Sequence, residues 1–414
     1  MPARSASHAQ ALNQSRATHD QNRRVRYDPS MATRVQGRSS GKRAALQSGR
    51  GALSRSRTSG LPLAARRHLL VNQIAVGLRR CELPLDSGVN RDREIKLVIG
   101  VSGGADSLAL LLGCHAIGRR KSADVRLVSI AVHVHHHLRP SADGDAAHVE
   151  QLCERFGIPL HVEHVYPVKL RGNVSANARS LRYAALTRIA RDHGASFVAT
   201  AHHAGDQLET MIAALCRGAG LEGLAGMPWR RPLEQGVNLI RPLLASQRVE
   251  CESMCRAADI QWINDPTNVD PSKSRARLRR DVLPVLEELW PGAAARAAAT
   301  ADVLNFMQKA LGERIDAAFG PPSQAQWDRR ELAGLQAVVV AAGLRRAALN
   351  MQPAIADALK QRHLAQAADL ICSTDRKPHT YDWPGGLRLK ITSKSVSMAV
   401  IESHAEDAEE TEHD

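Results

Sequence analysis

"VIGVSGGADSLALLLG", residues 98–113, is the stretch that decides the fold. The apolar residues before it, "IKLVIGV" (95–101), run without alternation, as in a strand buried on both faces of a parallel sheet. The residues after it, 106–120, have the length and composition of a helix. Between the two lie two glycines, two hydroxyls and one carboxylate. A strand, a glycine turn and a helix N-terminus together build an anion cradle, because glycine allows positive φ and successive backbone N–H groups point outward. The hydroxyls of Ser102 and Ser107 can donate to phosphate oxygens, and Gly103 and Gly104 supply the backbone. Asp106 cannot bind phosphate itself, so its presence in such a cradle makes sense if it holds Mg²⁺. The plain alternative is a tight turn with Asp106 as the helix N-cap. No lysine follows as in G-x-x-x-x-G-K-[ST], and G-x-G-x-x-G is absent.

Outward from this turn the pattern stays regular. A helix is expected over "ARRHLLVNQIAVGLRRC" (65–81), then strand 95–101, helix 106–120, strand 125–135, helix 143–156, strand 160–165, helix 175–193, strand 196–202 and helix 206–217. Strands alternating with helices predict an α/β fold with a doubly wound parallel sheet. Ligands in such sheets bind beyond the carboxyl ends of the strands. Three unusual loops fall there: "SGGADS", "HVHHHLRP" and "AHHAGDQLET". After Pro284 the texture changes to Ala/Leu-rich helices and a short β-like end, "GLRLKITSKSVSMAVIE". The expected organisation is a basic, disordered extension (1–60), an α/β domain (61–285), a mainly helical region with a short β-containing end (286–401) and an acidic tail (402–414).

Composition sets the outer bounds. The chain has 414 residues, 43% hydrophobic but only 3% aromatic, so the core must rest on Leu, Val, Ile and Ala. No run of 18 apolar residues is present, so no transmembrane helix is expected and a cytoplasmic location is. The seven cysteines are scattered; Cys251 and Cys255 fit one helix face and read as reduced thiols. The net charge of +14 is uneven: residues 1–57 carry 12 Lys/Arg against 2 Asp/Glu, and residues 402–414 carry 7 acids and no Lys/Arg. The part between them is basic too, which points to a polyanionic partner, most simply a nucleic acid. The Arg/Ser-rich start reads as a functionless extension, a non-specific RNA-binding arm or an organellar targeting segment.

"SGGADS" after a strand resembles the PP-loop, S-G-G-x-D-S, of the ATP pyrophosphatase superfamily, whose members cleave ATP between the α and β phosphates to adenylate an oxygen. The other loops resemble those of its tRNA(Ile)-lysidine synthetase family. His133, His136, Leu138 and Arg139 match its stretch after the second strand, with His137 where the family usually has glycine. A metal site is the free reading of these four histidines, but no cysteine or carboxylate set surrounds them in the sequence. Arg179, Arg182 and Tyr183 match the A-R-x-x-R-Y helix, with Ser175 in place of a usual glutamate. The two arginines lie at i, i+3 on one face, suited to phosphate or carboxylate. "AHHAGDQLET" matches A-H-H-x-x-D-Q-x-E-T and is followed by Arg217 of R-G-x-G; Asp206 and Glu209, also i, i+3, share one face of a first turn. Acids there would complement the helix dipole in any protein. Asp265, Asn268, Arg275, Arg279 and Pro284 match a downstream element, in which Ala276 replaces an asparagine.

The resemblance implies an enzyme that modifies the wobble cytidine of an isoleucine tRNA with a CAU anticodon. ATP would adenylate the C2 oxygen, and the ε-amine of free lysine would then displace AMP. It implies ATP binding by Ser102, Gly103, Gly104, Asp106, Ser107 and His133, with Mg²⁺ on Asp106. It implies lysine binding by Asp206, Glu209 and His202, with Glu209 also a proton acceptor, and tRNA or phosphate contacts from Arg179, Arg182, Arg217, Arg275 and Arg279. A homodimer is one assembly open to such an enzyme. The rival readings are a PP-loop tRNA thiolase and a catalytically silent tRNA-binding protein on the same scaffold.

Overall fold

The structure, a computed structural model, describes residues 60–85, 94–120, 126–264, 274–356 and 358–401. The expected disordered extension, apart from Gly60, the acidic tail, and Asp265 and Asn268 lie outside the described residues. The chain divides between Gln308 and Lys309 into two compact units. That division falls inside the helix Ala293–Phe319, beyond the change of texture after Pro284.

The first unit holds a six-stranded sheet of β1 (Glu94–Gly100), β2 (Arg126–His135), β3 (Leu160–His164), β4 (Phe197–Ala199), β5 (Arg230–Glu234) and β6 (Val237–Ile240), in the order β3-β2-β1-β4-β6-β5. The β1–β4, β1–β2, β2–β3 and β4–β6 pairings are parallel; Val98 of β1 sits between Ile130 of β2 and Val198 of β4. The helices around it are α1 (Leu69–Arg80), α2 (Ala105–Gly118), α3 (Ala142–Phe156), α4 (Val174–Asp192), α5 (Ala204–Cys216) and α6 (Arg248–Ala257). Successive side chains of a strand face opposite sides. Leu97 and Ile99 therefore join the core made with α1, α2 and α6, while Val98 joins Ile130, Val198, Leu239 and the α4 residues Leu186 and Ile189 on the other face. Helix α2 is enclosed on nearly all sides, with Leu108, Leu110, Leu111 and Leu112 fully buried, which is why "SLALLLG" has no polar stripe. Each such leucine contributes about 1.5–3 kcal/mol of burial free energy.

The doubly wound architecture is as the sequence predicts, with two differences. The hairpin β5–β6 is an addition, and β5 runs antiparallel at the sheet edge. "RRPLE" gives no strand signal, because three of its five residues are charged and it contains Pro232, features that an edge strand tolerates and a central one does not. Strand β4 is also shorter than 196–202. The chain leaves the sheet after Ala199, with Thr200 N–H still donating to Ile240 O at 3.0 Å, and Ala201–His203 turn into α5.

The second unit contains a four-stranded antiparallel sheet, β7 (Gln326–Asp328), β8 (His379–Trp383), β9 (Leu387–Ile391) and β10 (Ser395–Val400), ordered β7-β10-β9-β8, with the helices Ala337–Met351 and Gln361–Cys372. This matches the expected helical region with a short β end. Its core includes Phe319, Trp327, Leu344, Ile371 and Leu389. Arg329 is fully buried there and donates to the carbonyls of Leu370, Asp375 and Thr392 at 2.7, 2.6 and 3.0 Å. No described helix is long and apolar enough to cross a membrane.

Candidate active site

Strand β1 is the switch point of the first sheet: the chain winds outward to β2 and β3 on one side, then crosses to β4 on the other. A crevice must open there, beyond the carboxyl ends of the strands. It is a cavity of about 1580 Å³, lined by the Ser102–Ser107 turn, His133, His202, His203, Asp206 and Arg279 among others.

The turn is held by its own hydroxyls. Ser107 Oγ donates to Gly104 O at 2.9 Å and accepts from Ser102 N at 3.2 Å. Gly103 adopts φ +87°, and a Cβ there would come within 2.4 Å of Ile263 Cδ1, while Ile263 N–H donates to Gly103 O at 2.9 Å. No side chain caps α2, whose N-cap is Gly104. Its first N–H groups are thus left for an anion.

Asp106 is not a cap. It lies in the first turn of α2, with Oδ1 buried and without a hydrogen-bond partner. Oδ2 is 3.8 Å from His203 Nε2 and 3.7 Å from a guanidinium nitrogen of Arg248. Burial pushes the carboxyl up, against the pull of His203 and Arg248. A buried carboxylate oxygen with no donor, beside bare helix N–H groups, fits a bound Mg²⁺.

Asp206 and Glu209 do share one face of α5, and they are already engaged. Asp206 Oδ2 accepts from His203 N at 3.0 Å, closing a capping box, and Oδ1 accepts from Arg279 Nη2 at 2.5 Å. Glu209, only 2% exposed, accepts from Arg279 Nε at 2.6 Å and lies 3.3 Å from Arg275 Nε. Burial opposes the charge of Asp206, but His203, Arg279 and His202 outweigh it and hold the carboxyl below its usual range. Arg279 sits in a π-helical turn, Leu278–Val282. Pro284, one residue into the next helix, has no N–H to bond the turn before it, so the helix widens there. Arg279, Arg280 and Pro284 all face the cavity.

Burial disfavours the charged form of three of the histidines, His133, His136 and His202. His133, 5% exposed, meets Val101 O through Nδ1 at 2.9 Å, so Nδ1 carries the proton and Nε2 is left as an acceptor. Burial pushes His133 down, takes His136 to about 4, and keeps His202 well below the ordinary imidazole range; His202 Nδ1 is 2.9 Å from Thr200 Oγ1. Arg182 lines the cavity with a buried, unpartnered Nε, and its guanidinium, with those of Arg179 and Arg231, stacks on Tyr183. Arg179, Glu209, Arg217 and Arg275 are not among the lining residues: Glu209 is buried beneath Arg279, and Arg217 is an exposed C-cap of α5.

Two lining residues escape the sequence reading. His203 N-caps α5 by accepting from Gly205 N at 3.0 Å through Nδ1, which leaves the proton on Nε2 between the carboxylates of Asp106 and Asp206, 3.8 and 3.7 Å away. Its signal was present in the His202–His203 pair. Arg248 comes from α6, more than a hundred residues from the turn it faces, and nothing local marks it. Of the departures from the family pattern, Ser175 and Ala276 line the cavity, and His137 takes φ +52°, the left-handed conformation that glycine favours. Cys251 and Cys255 are buried on α6, with burial pushing both thiols up, Cys255 to about 12. Protonated, enclosed thiols are poor sulfur carriers.

A parallel switch-point crevice with a Ser-Gly-Gly turn and uncapped helix N–H groups is an anion-accepting site of an α/β fold. The chain belongs to the PP-loop domain family, which matches residues 79–286. It is similar to the tRNA(Ile)-lysidine synthases of Pseudomonas aeruginosa (40% identical over 232 residues, 55% of this chain and 51% of that one) and Chromobacterium violaceum (42% over 196 residues, 47% and 43%). With that of Pseudomonas putida it is 34% identical over 292 residues, 70% of this chain and 64% of that one. The chain thus spans about half the length of the first two. Among solved structures it is similar to a U34-tRNA thiolase from Methanococcus maripaludis, at 18% identity and a TM-score of 0.43, covering 56% of this chain and 79% of that one.

Proposed function

We propose that the chain ligates free lysine to C2 of the wobble cytidine of a tRNA(Ile) with a CAU anticodon, through a cytidine adenylated by ATP. The observation that carries the proposal is that one cavity is lined both by the Ser-Gly-Gly turn with Asp106 and by Asp206 and Arg279, with the buried Glu209 behind Arg279. The first suits a triphosphate and the second an amino acid. The names of the relatives point the same way.

The bare N–H groups of α2 would receive the phosphates, and Arg248 beside Asp106 would offset their charge. Mg²⁺ held by Asp106 would supply Lewis-acid neutralisation of the departing pyrophosphate. The lysine amine must be neutral to attack, against an unperturbed pKa of about 10.4. Here two carboxylates are answered by two guanidiniums, Arg279 and Arg275, so the cluster does not present a strong anionic field. An ε-amine brought beside it is little stabilised as a cation, which favours the free base. The remaining lone pairs of Asp206, which lines the cavity, can still accept from an amine, and Glu209 would act on the same site through Arg279 and Arg275. The arginines expected to touch tRNA thus have a second role in setting the charge of the lysine site.

The deciding experiment is mass spectrometry of the wobble nucleoside after incubating tRNA(Ile) with ATP, Mg²⁺ and lysine. The expected product is cytidine carrying lysine with loss of water, dependent on all three. In a parallel incubation with a sulfide donor in place of lysine, exchange of oxygen for sulfur would establish the thiolase reading, and unmodified cytidine in both incubations with retained tRNA binding would establish the silent one.

A further inference from the structure

We propose that His135, His137 and His164 form a binding site for a transition-metal dication of the zinc class at the ends of β2 and β3, where His135 also lines the cavity. The sequence offers only "HVHHH"; the fold supplies the third ligand. In the parallel register His135 of β2 is paired with His164 of β3, and His137 follows two residues past His135. One ring nitrogen from each of the three lies within 4.8 Å of the others, and His137 Nε2 is 2.9 Å from His164 Nδ1. Nitrogens around a tetrahedral zinc at about 2.0–2.1 Å stand roughly 3.3 Å apart, so small rotations of the rings complete the set.

The second observation is His135 itself. It is 2% exposed, and neither of its ring nitrogens has a hydrogen-bond partner. Nε2 lies 2.9 Å from Asp143 Oδ1, outside hydrogen-bond geometry. A buried imidazole with no hydrogen bond at either nitrogen, and only Asp143 within ion-pair reach, is costly unless something binds it. Asp143 supplies the carboxylate that histidine metal sites carry as a ligand or as the group orienting a ligating ring. His137 and His164 are exposed, so an ion can enter from solvent and keep a water. The ring of His137 also stacks on Tyr166, with centroids 4.5 Å apart, and its backbone holds φ +52°, so an unusual conformation is retained where it aims the ring at the cluster. Three imidazoles without a thiolate select zinc, copper or nickel over magnesium. The loop leaving His137 carries Leu138 and Arg139, which line the cavity, so an ion here would tie the cavity wall to β3.

The test uses the full chain freed of metal with a chelator. Zn²⁺ is titrated in competition with a chromogenic chelator, and Co²⁺ binding is followed by its visible absorption. The wild type is compared with His137→Gly and His164→Ala, both exposed positions whose folding is checked by circular dichroism. The chain has 18 histidines, so the reading is the difference between proteins. One strong site is expected in the wild type, with its affinity reduced in each variant beyond the roughly 10–100-fold that losing an outer partner costs. Zn²⁺ should raise the unfolding temperature of the wild type and leave that of the variants unmoved. Equal binding by all three proteins, or no site in the wild type, overturns the proposal.

Discussion

Arg279 reaches Glu209 through Nε at 2.6 Å, and the same guanidinium reaches Asp206 at 2.5 Å. Glu209 is almost fully buried, whereas the Arg279 side chain is 45% exposed. The buried acid therefore depends on a partner that solvent can still touch. Breaking a buried pair from one side leaves a stranded charge. Arg279→Ala should destabilise the protein by about 3 kcal/mol, less if Arg275 takes over, and Arg279→Ala with Glu209→Gln should destabilise by less than the sum of the two. Denaturant unfolding of the two single variants and the double variant measures the coupling, expected at about 1–3 kcal/mol. Strict additivity would show the contact to be energetically idle.

Asp106 should reveal the opposite economy. Its carboxyl is pushed up by burial, so between the unfolded value and the higher folded one the native state holds more protons, and stability falls as pH rises through that window. At neutral pH the ionised, partnerless oxygen is a cost of about 1–3 kcal/mol. Asp106→Asn should therefore abolish ATP-dependent release of pyrophosphate while raising the unfolding temperature in the absence of nucleotide. Each kcal/mol gained corresponds to about 2–4 °C for a unit of this size. A lower unfolding temperature would mean that the carboxylate is structural, and undiminished turnover would remove it from the metal site.

Asp206 carries the reverse sign. Its folded value lies below the usual carboxylate range, so its contribution to stability is present above the unfolded value of about 3.9 and is lost as pH falls through the folded one. Acid unfolding of Asp206→Asn should therefore be shallower than that of the wild type below about pH 4, with the two curves parallel near neutrality. Parallel curves throughout the acid limb would show that Asp206 titrates alike in both states.

The turn offers a test in two parts. Gly103→Ala meets both a positive φ and a clash with Ile263. A non-glycine residue in that conformation costs about 1–2 kcal/mol. Shortening the neighbour, Ile263→Ala, should recover the clash portion of the double variant's stability but not its pyrophosphate release, because the φ strain still displaces the N–H groups. Full recovery of both would reduce Gly103 to a packing residue.

These cases also mark what the sequence discloses. The βα alternation and the Ser102–Ser107 turn are local, because a strand period and a glycine turn are written in neighbouring residues. The i, i+3 placement of Asp206 and Glu209 is local in the same way. The partnership of those acids with Arg279 is not, since it depends on a π turn about seventy residues later that Pro284 brings about. Arg248 reaches Asp106 only because α6 packs against α2. The β5–β6 hairpin is hidden by its charges and Pro232, which only the edge position allows. His164 becomes visible beside His135 only through the β2–β3 register.

The two half-reactions give the sharpest test of the proposed function. On that proposal, adenylation of cytidine would need the phosphate cradle, Asp106 and tRNA, whereas lysine transfer would need the acids of α5. Glu209→Gln removes a charge yet keeps an oxygen that can accept from Arg279 Nε, so the cluster should persist. The loss of a charge-assisted contact is about 1.5–3 kcal/mol, tenfold or more in rate. Adenylated tRNA should then accumulate, and the KM for lysine should rise while formation of the adenylate keeps its speed. If the two acids only complement the start of α5, the variant should lose a few tenths of a kcal/mol of stability and keep its kinetics. Quenched-flow measurement of adenylated tRNA and lysidine separates these outcomes. Equal slowing of both steps would place Glu209 in the scaffold shared by both substrates and remove it from the lysine site.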